Sequence, residues 1–366
     1  MKRILKLSYD NLYKMCYSIL TNFLEVLMSL KKKVCILYTG GTIGMVPTDC
    51  GYAPKKDYFN TLLNQIHQMK SPALPSWDVV EFDPLLDSSN IAIEEWNNIG
   101  RAIADRYEEY DGFVVLHGTD TMSYTASALS FMLEGLNKPV VFTGAQIPLC
   151  ELRSDGRDNL INSIIIAGEG TVREVCVYFG GKLLRANRST KIASKELQAF
   201  DSPDYPALAE VRIDICYNES AMNLPSRPKT FHFTELRNFP IGVLKLFPGF
   251  QFELFEGMIN SNLKAVVLEA FGSGNIPTNN RALVDGIRKS AENGTIITVT
   301  SQCHRGGTTL GTYATSNDLV QSGAISASDM TTEAAIAKLY YLFSCGYDTE
   351  RVKLLMETNL RGEMNE

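Results

Sequence analysis

From Lys33 onward, short and nearly unbroken apolar runs alternate with stretches of helical spacing. Val34 to Tyr38, Phe113 to His117, Pro139 to Thr143 and Glu174 to Phe179 have the character of parallel strands covered on both faces. Between them, Trp96, Ile99, Ile103 and Tyr107 recur at helical spacing in a stretch beginning near Asn90. Ser123 to Leu133 and Asp158 to Ala167 predict two further helices. The periodicity lapses between Tyr217 and Arg237, where Asn218, Ser220, Asn223, Pro225 and Pro228 mark a linker. It resumes with strands at Ile241 to Leu246, Ala265 to Leu268 and Ile296 to Val299. Helices are predicted at Asn280 to Ser290, at Glu333 to Leu342 and from about Thr349. Strand–helix alternation of this kind is the α/β signature. It predicts a larger N-terminal α/β domain with a mainly parallel sheet over 31–217, a linker at 218–237 and a smaller α/β domain over 238–366.

The 366 residues are long for a single core, which agrees with two domains. A net charge of -6 lacks the footprint for nucleic acid or an anionic membrane and favours a small soluble ligand. Eight scattered cysteines form no C-x-x-C pair, which predicts a reducing compartment and no zinc site. His67, His117, His232 and His304 have no metal-ligand spacing, so no metal is expected. Residues 1–30 imitate a signal peptide through Lys2, Arg3 and Lys6, but Ser8, Asp10, Asn11, Lys14, Asn22 and Glu25 interrupt the apolar stretch and no cleavage site follows. The stretch is also too polar to span a bilayer. It is expected to be an N-terminal extension with Met28 as the natural start, in preference to an amphipathic membrane helix or a partner-binding arm.

Three strand-end segments carry hydroxyls and charges where parallel sheets present their ligands. Tyr38-Thr39-Gly40-Gly41-Thr42-Ile43-Gly44 has paired glycines that permit a sharp turn, leaving Thr42 exposed on it. A dinucleotide-binding turn is the rival reading, and the glycine spacing fits it only in part. In His117-Gly118-Thr119-Asp120-Thr121-Met122, Asp120 could be a helix N-cap and nothing more. The lysine of Arg188-Ser189-Thr190-Lys191 could be a solvated surface residue. As a set, the segments suggest an activated hydroxyl, because a threonine needs a base or a hydrogen-bond relay to act as a nucleophile.

The segments YTGGTIGM (38–45), DSSN (87–90), HGTDTMSYTASALSFML (117–133), RSDGRDNL (153–160) and RSTK (188–191) resemble those of bacterial type I, cytoplasmic L-asparaginases. The likeness runs from about Lys33 to Asn359-Leu360-Arg361-Gly362-Glu363 near the C-terminus. It implies a C-terminal domain of Rossmann-like or flavodoxin-like form, cytoplasmic hydrolysis of L-asparagine, no metal or organic cofactor, and a homodimer or a tetramer built as a dimer of dimers. By resemblance, Thr42 is the nucleophile that forms a β-aspartyl ester, and Tyr52 belongs to a lid that closes over it. Thr119, Asp120 and Lys191 form a second triad, with the Thr119 N–H in the oxyanion hole. Ser88, flanked by Asp87 and Ser89, binds the substrate α-carboxylate, and Asp120 receives the α-ammonium. Asp87-Ser88-Ser89-Asn90 also has the composition of an N-cap for the Trp96 helix.

One position departs from the allosteric members of the family. They carry an arginine where this chain has Glu269, whereas Thr190, Asn275 and Cys303 match their effector site. A carboxylate there repels an effector carboxylate, so asparagine activation is expected to be weakened, altered or absent and the site vestigial. Three other readings remain open: substantial glutaminase activity, the amide-hydrolysing subunit of a tRNA-dependent amidotransferase, and a catalytically silent amino-acid-binding protein. The acidic charge and short extension oppose the amidotransferase reading, and retention of Thr42, Tyr52, Thr119, Asp120 and Lys191 opposes the silent one.

Overall fold

The computed structural model describes residues 31–223, 230–254, 263–311 and 314–365. The predicted extension at 1–30 and part of the predicted linker, 224–229, lie outside the described residues.

An eight-stranded sheet dominates the N-terminal half. Its order is Ile215–Tyr217, Ala209–Val211, Lys182–Arg185, Val175–Phe179, Val140–Thr143, Gly112–Leu116, Lys33–Gly40, Ser76–Leu86. The five strands from Val175–Phe179 to Ser76–Leu86 are parallel, and the other three continue antiparallel. Alternate side chains leave the sheet on opposite faces. Cys35, Leu37, Phe113 and Val115 therefore enter one core, with Trp96, Ile99 and Ile103 of helix Ile93–Ala104 and with helix Met122–Met132. Val34, Ile36, Tyr38, Val114 and Leu116 enter the other, under helices Phe59–Gln65 and Gly156–Glu169. Both faces are thus buried, which is why the strands read as continuous apolar runs.

The C-terminal sheet has four parallel strands in the order Ile241–Lys245, Ala265–Ala270, Ile296–Ser301, Ile325–Ser326. Helix Arg281–Glu292 covers one face through Leu283, Val284 and Ile287. Helix Thr332–Ser344 joins the large core of the N-terminal sheet and packs against Met122–Met132. The two domains therefore share apolar packing directly behind the loop that carries Thr119.

Two local expectations change. The Trp96 helix begins at Ile93, and its cap is Ala92, whose N–H donates to Glu95 at 2.8 Å. Asp87 instead caps the short 3₁₀ turn Ser88–Asn90 by accepting from the Ser89 N–H at 3.0 Å. The sequence between Ser76 and Leu86, not read as a strand, forms the edge of the main sheet.

Candidate active site

Three loops leave the carboxyl ends of adjacent strands and pack backbone against backbone. Lys33–Gly40 lies between Gly112–Leu116 and Ser76–Leu86, so the segments holding Thr42, Thr119 and Ser88 emerge side by side. Gly41 has φ +81°, and a Cβ there would lie 2.5 Å from the Gly118 nitrogen. A Cβ on Gly118 would lie 2.4 Å from Ser88 Oγ. Only glycine permits both approaches. Side chains fasten the same loops: Thr39 Oγ1 donates to the Leu116 carbonyl at 2.8 Å, and Thr121 Oγ1 to the Ser88 carbonyl at 2.6 Å. Thr42 opens the 3₁₀ turn Thr42–Gly44 and is half-buried.

Lys191 reaches this cluster from a separate strand. Its Nζ donates to Thr119 Oγ1 at 2.8 Å and to Asp120 Oδ1 at 2.7 Å. The Asp120 carboxylate therefore faces the lysine. Helix Met122–Met132 is preceded by Thr121 with no side-chain cap, so the N-cap reading of Asp120 fails. Thr119 is buried, whereas the Asp120 side chain is 67% exposed and can still receive a ligand cation. Ser88 is buried at the start of its turn, and Asp87 Oδ1 accepts from both the N–H and the hydroxyl of Ser89 at 3.0 Å.

Tyr52 lies on the hairpin of Met45–Thr48 and Gly51–Pro54 that follows the Thr42 turn. Its hydroxyl donates to Glu151 Oε1 at 2.5 Å, and that hydrogen bond to a carboxylate raises the phenol pKa above its ordinary value. His117 is fully buried. Burial lowers its pKa to about 4, so the imidazole is neutral at pH 7. Its Nδ1 lies 2.7 Å from the Gly118 carbonyl, while Nε2 has no protein partner among the described residues.

Sequence reasoning missed Gln146, whose Oε1 accepts from Thr119 Oγ1 at 3.4 Å. Asp155 holds the Gln146 and Ile147 N–H groups at 2.9–3.1 Å. Gln146 lies just past the predicted Pro139 to Thr143 strand, and the strand-end rule applied there would have found it. It also missed Glu151, which no local signal marks.

The effector-site residues divide. Thr190, Glu269 and Cys303 line one cavity of about 190 Å³, whereas Asn275 is not among its lining residues and bridges Phe271 through the backbone. Both Glu269 oxygens are engaged, one by Thr332 Oγ1 at 2.9 Å and the other by Lys245 Nζ at 3.4 Å.

Family models for the asparaginase N-terminal domain and the glutaminase/asparaginase C-terminal domain match residues 33–223 and 240–356. The chain is 41% identical to L-asparaginase 1 of Escherichia coli K12, over 91% of this chain and 98% of the relative. It is 38% identical to a 60 kDa lysophospholipase of Mus musculus, over 92% of this chain and 63% of the relative. The crystal structure of L-asparaginase I from Vibrio cholerae superposes with a TM-score of 0.85 at 40% identity, covering 92% of this chain and all of that one.

Proposed function

Because the chain belongs to the asparaginase family, we propose that it hydrolyses L-asparagine to L-aspartate and ammonia through a β-aspartyl ester on Thr42. Thr42 Oγ1 attacks the side-chain carboxamide carbon, and the developing oxyanion is held by the Thr119 N–H. One such donor contributes about 3 kcal/mol to transition-state stability. The C–N bond breaks as the leaving nitrogen takes up a proton and departs as ammonia. Water then attacks the ester carbonyl, and the proton it loses returns to Thr42 as aspartate leaves. Thr119, Asp120 and Lys191 align and polarise the reacting centre, and the Tyr52 hairpin closes over it to exclude water during the first step. Ser88, with Asp87 and Ser89 beside it, takes the α-carboxylate. Asp120 takes the α-ammonium, which makes a free amino acid the substrate.

The observation that carries this reading is the contact of Lys191 Nζ with both Thr119 Oγ1 and Asp120 Oδ1, beside the Gly41–Gly118 approach. Ammonia release from asparagine tests it. Thr42→Ala and Lys191→Met should each lower turnover by orders of magnitude, and full activity in Thr42→Ala refutes the nucleophile. The C-terminal family description covers glutaminases, and a pocket discriminates one methylene by only about 1–3 kcal/mol. Glutamine and a lysophospholipid therefore belong in the same assay.

Regulation by asparagine is weakened, altered or absent, because Glu269 presents a carboxylate to the cavity and Lys245 only partly offsets it. Steep sigmoidality in rate against asparagine concentration would refute that. The assembly is a homodimer or a dimer of dimers, which sedimentation tests. The described cysteines are free thiols, in keeping with a cytoplasmic setting.

A further inference from the structure

Lys191 lies outside the eight-stranded sheet. It occupies the two-residue strand Thr190–Lys191, paired antiparallel with Phe200–Asp201 in a sheet of two strands. So short a ladder constrains position weakly, yet the ammonium must stay within hydrogen-bond distance of Thr119. Beyond contacts within its own domain, among them Arg188 to the Asp204 carbonyl at 3.0 Å, the segment is tied to the other domain.

Arg188 is almost fully buried, and its guanidinium donates to the two Asp329 oxygens at 3.1 and 2.7 Å, and to the Glu363 carbonyl at 2.8 Å. Thr190 Oγ1 donates to Glu333 Oε1 at 2.6 Å. Asp329 and Glu333 both belong to the C-terminal domain, with Glu333 in the first turn of helix Thr332–Ser344. Burial raises the Glu333 pKa above its ordinary value and the hydrogen bond from Thr190 opposes that rise, so the contact satisfies a side chain that is largely withdrawn from water. Consecutive residues of a strand point to opposite faces. Fastening Thr190 to Glu333 on one side therefore directs Lys191 to the other, towards Thr119 and Asp120.

We propose that Glu333, acting through Thr190 and supported by the Arg188–Asp329 pair, is a positioning residue for Lys191, so that the C-terminal domain sets where the amine meets Thr119. This rests on the assignment of Lys191 to the reaction. A displacement of about 1 Å at a reacting group can lower the rate on the order of 10²-fold.

The test compares steady-state kinetics of the full chain and its variants, with urea unfolding of each to establish the folded fraction. Thr190→Val and Glu333→Ala should lower kcat roughly 10- to 100-fold with KM changed by less than about threefold. Thr190→Ser and Glu333→Gln, which restore a hydroxyl donor and a carbonyl acceptor, should recover most of it. Wild-type kcat in either Thr190→Val or Glu333→Ala, a loss that falls on KM alone, or a loss no larger than the unfolded fraction would each overturn the proposal. Lys191→Met separates the two levels. If it is inactive while Thr190→Val is unimpaired, only the positioning role fails. If Lys191→Met keeps full activity, the catalytic assignment fails as well.

Discussion

His117 gives a prediction whose size follows from its surroundings. It directly follows the Gly112–Leu116 strand, two residues before Thr119, at 0% exposure. Nδ1 lies 2.7 Å from the Gly118 carbonyl and carries the proton in the neutral ring. Protonation would place an N–H on Nε2, which has no protein acceptor among the described residues. The folded pKa is lowered to about 4, against an ordinary value near 6.5. The unfolded chain therefore binds more protons between those two values, and stability falls as pH drops through that window. Full passage across it corresponds to about 3 kcal/mol, and the step from pH 7 to pH 5 to about 2 kcal/mol. His117→Asn retains an N–H donor near the Nδ1 position and does not titrate. The quantity to measure is wild-type minus variant unfolding free energy in urea at pH 7, 6 and 5. The difference should shrink by about 2 kcal/mol as pH falls, since only the wild type carries this term. A pH-independent difference would refute the buried neutral imidazole.

Three further outcomes can be checked. Lys338 and Glu363 form an ion pair with both side chains at 0% exposure and N–O 2.6 Å, so Lys338→Met should cost about 3–5 kcal/mol in urea unfolding, with Lys338→Met/Glu363→Gln recovering part of it. Gly41→Ala places a Cβ 2.5 Å from the Gly118 nitrogen at φ +81°, and ammonia release should fall on the order of 10²-fold as the 117–120 loop moves off Lys191. Glu151→Ala removes the carboxylate that raises the Tyr52 pKa, so any alkaline limb set by that phenol in the kcat profile should move to lower pH; an unmoved limb would exclude Tyr52 from it.

What could be read in the sequence follows from where the constraint is local. Strands such as Lys33–Gly40 and Val175–Phe179 are buried on both faces and announce themselves as apolar runs. In Ser76–Leu86 the apolar positions Trp77, Val79, Val80 and Phe82 are broken up by Asp78, Glu81, Asp83 and Pro84, because it is an edge strand that is only partly covered. The helical spacing through Ile103 was legible, but Tyr107 lies past the end at Ala104, since the core accepts it from a turn. Thr42 and Thr119 follow recognisable strand ends, whereas Lys191 does not: the antiparallel strand Lys182–Arg185 intervenes after Val175–Phe179, and the lysine lies in the separate strand Thr190–Lys191. Gln146, Glu151 and Glu333 act across 27, 99 and 143 residues of chain, distances over which no periodicity carries information.

The site has two mechanical origins. The loops of Thr42, Thr119 and Ser88 are fixed by the central sheet through contacts so close that two glycines are obligatory. The segment before Lys191 is tied to the C-terminal domain by the Thr190–Glu333 hydrogen bond and the Arg188–Asp329 ion pair, which on the proposal above set the position of the amine. Backbone contacts of the first kind give way only with local unfolding, whereas polar contacts of the second kind can exchange partners without it. A disturbance between the domains should therefore reach Lys191 before it reaches Thr42. The cavity lined by Thr190, Glu269 and Glu333 lies at that junction, where on the proposal above a change in charge should bear on the position of the amine more than on the loops of Thr42, Thr119 and Ser88.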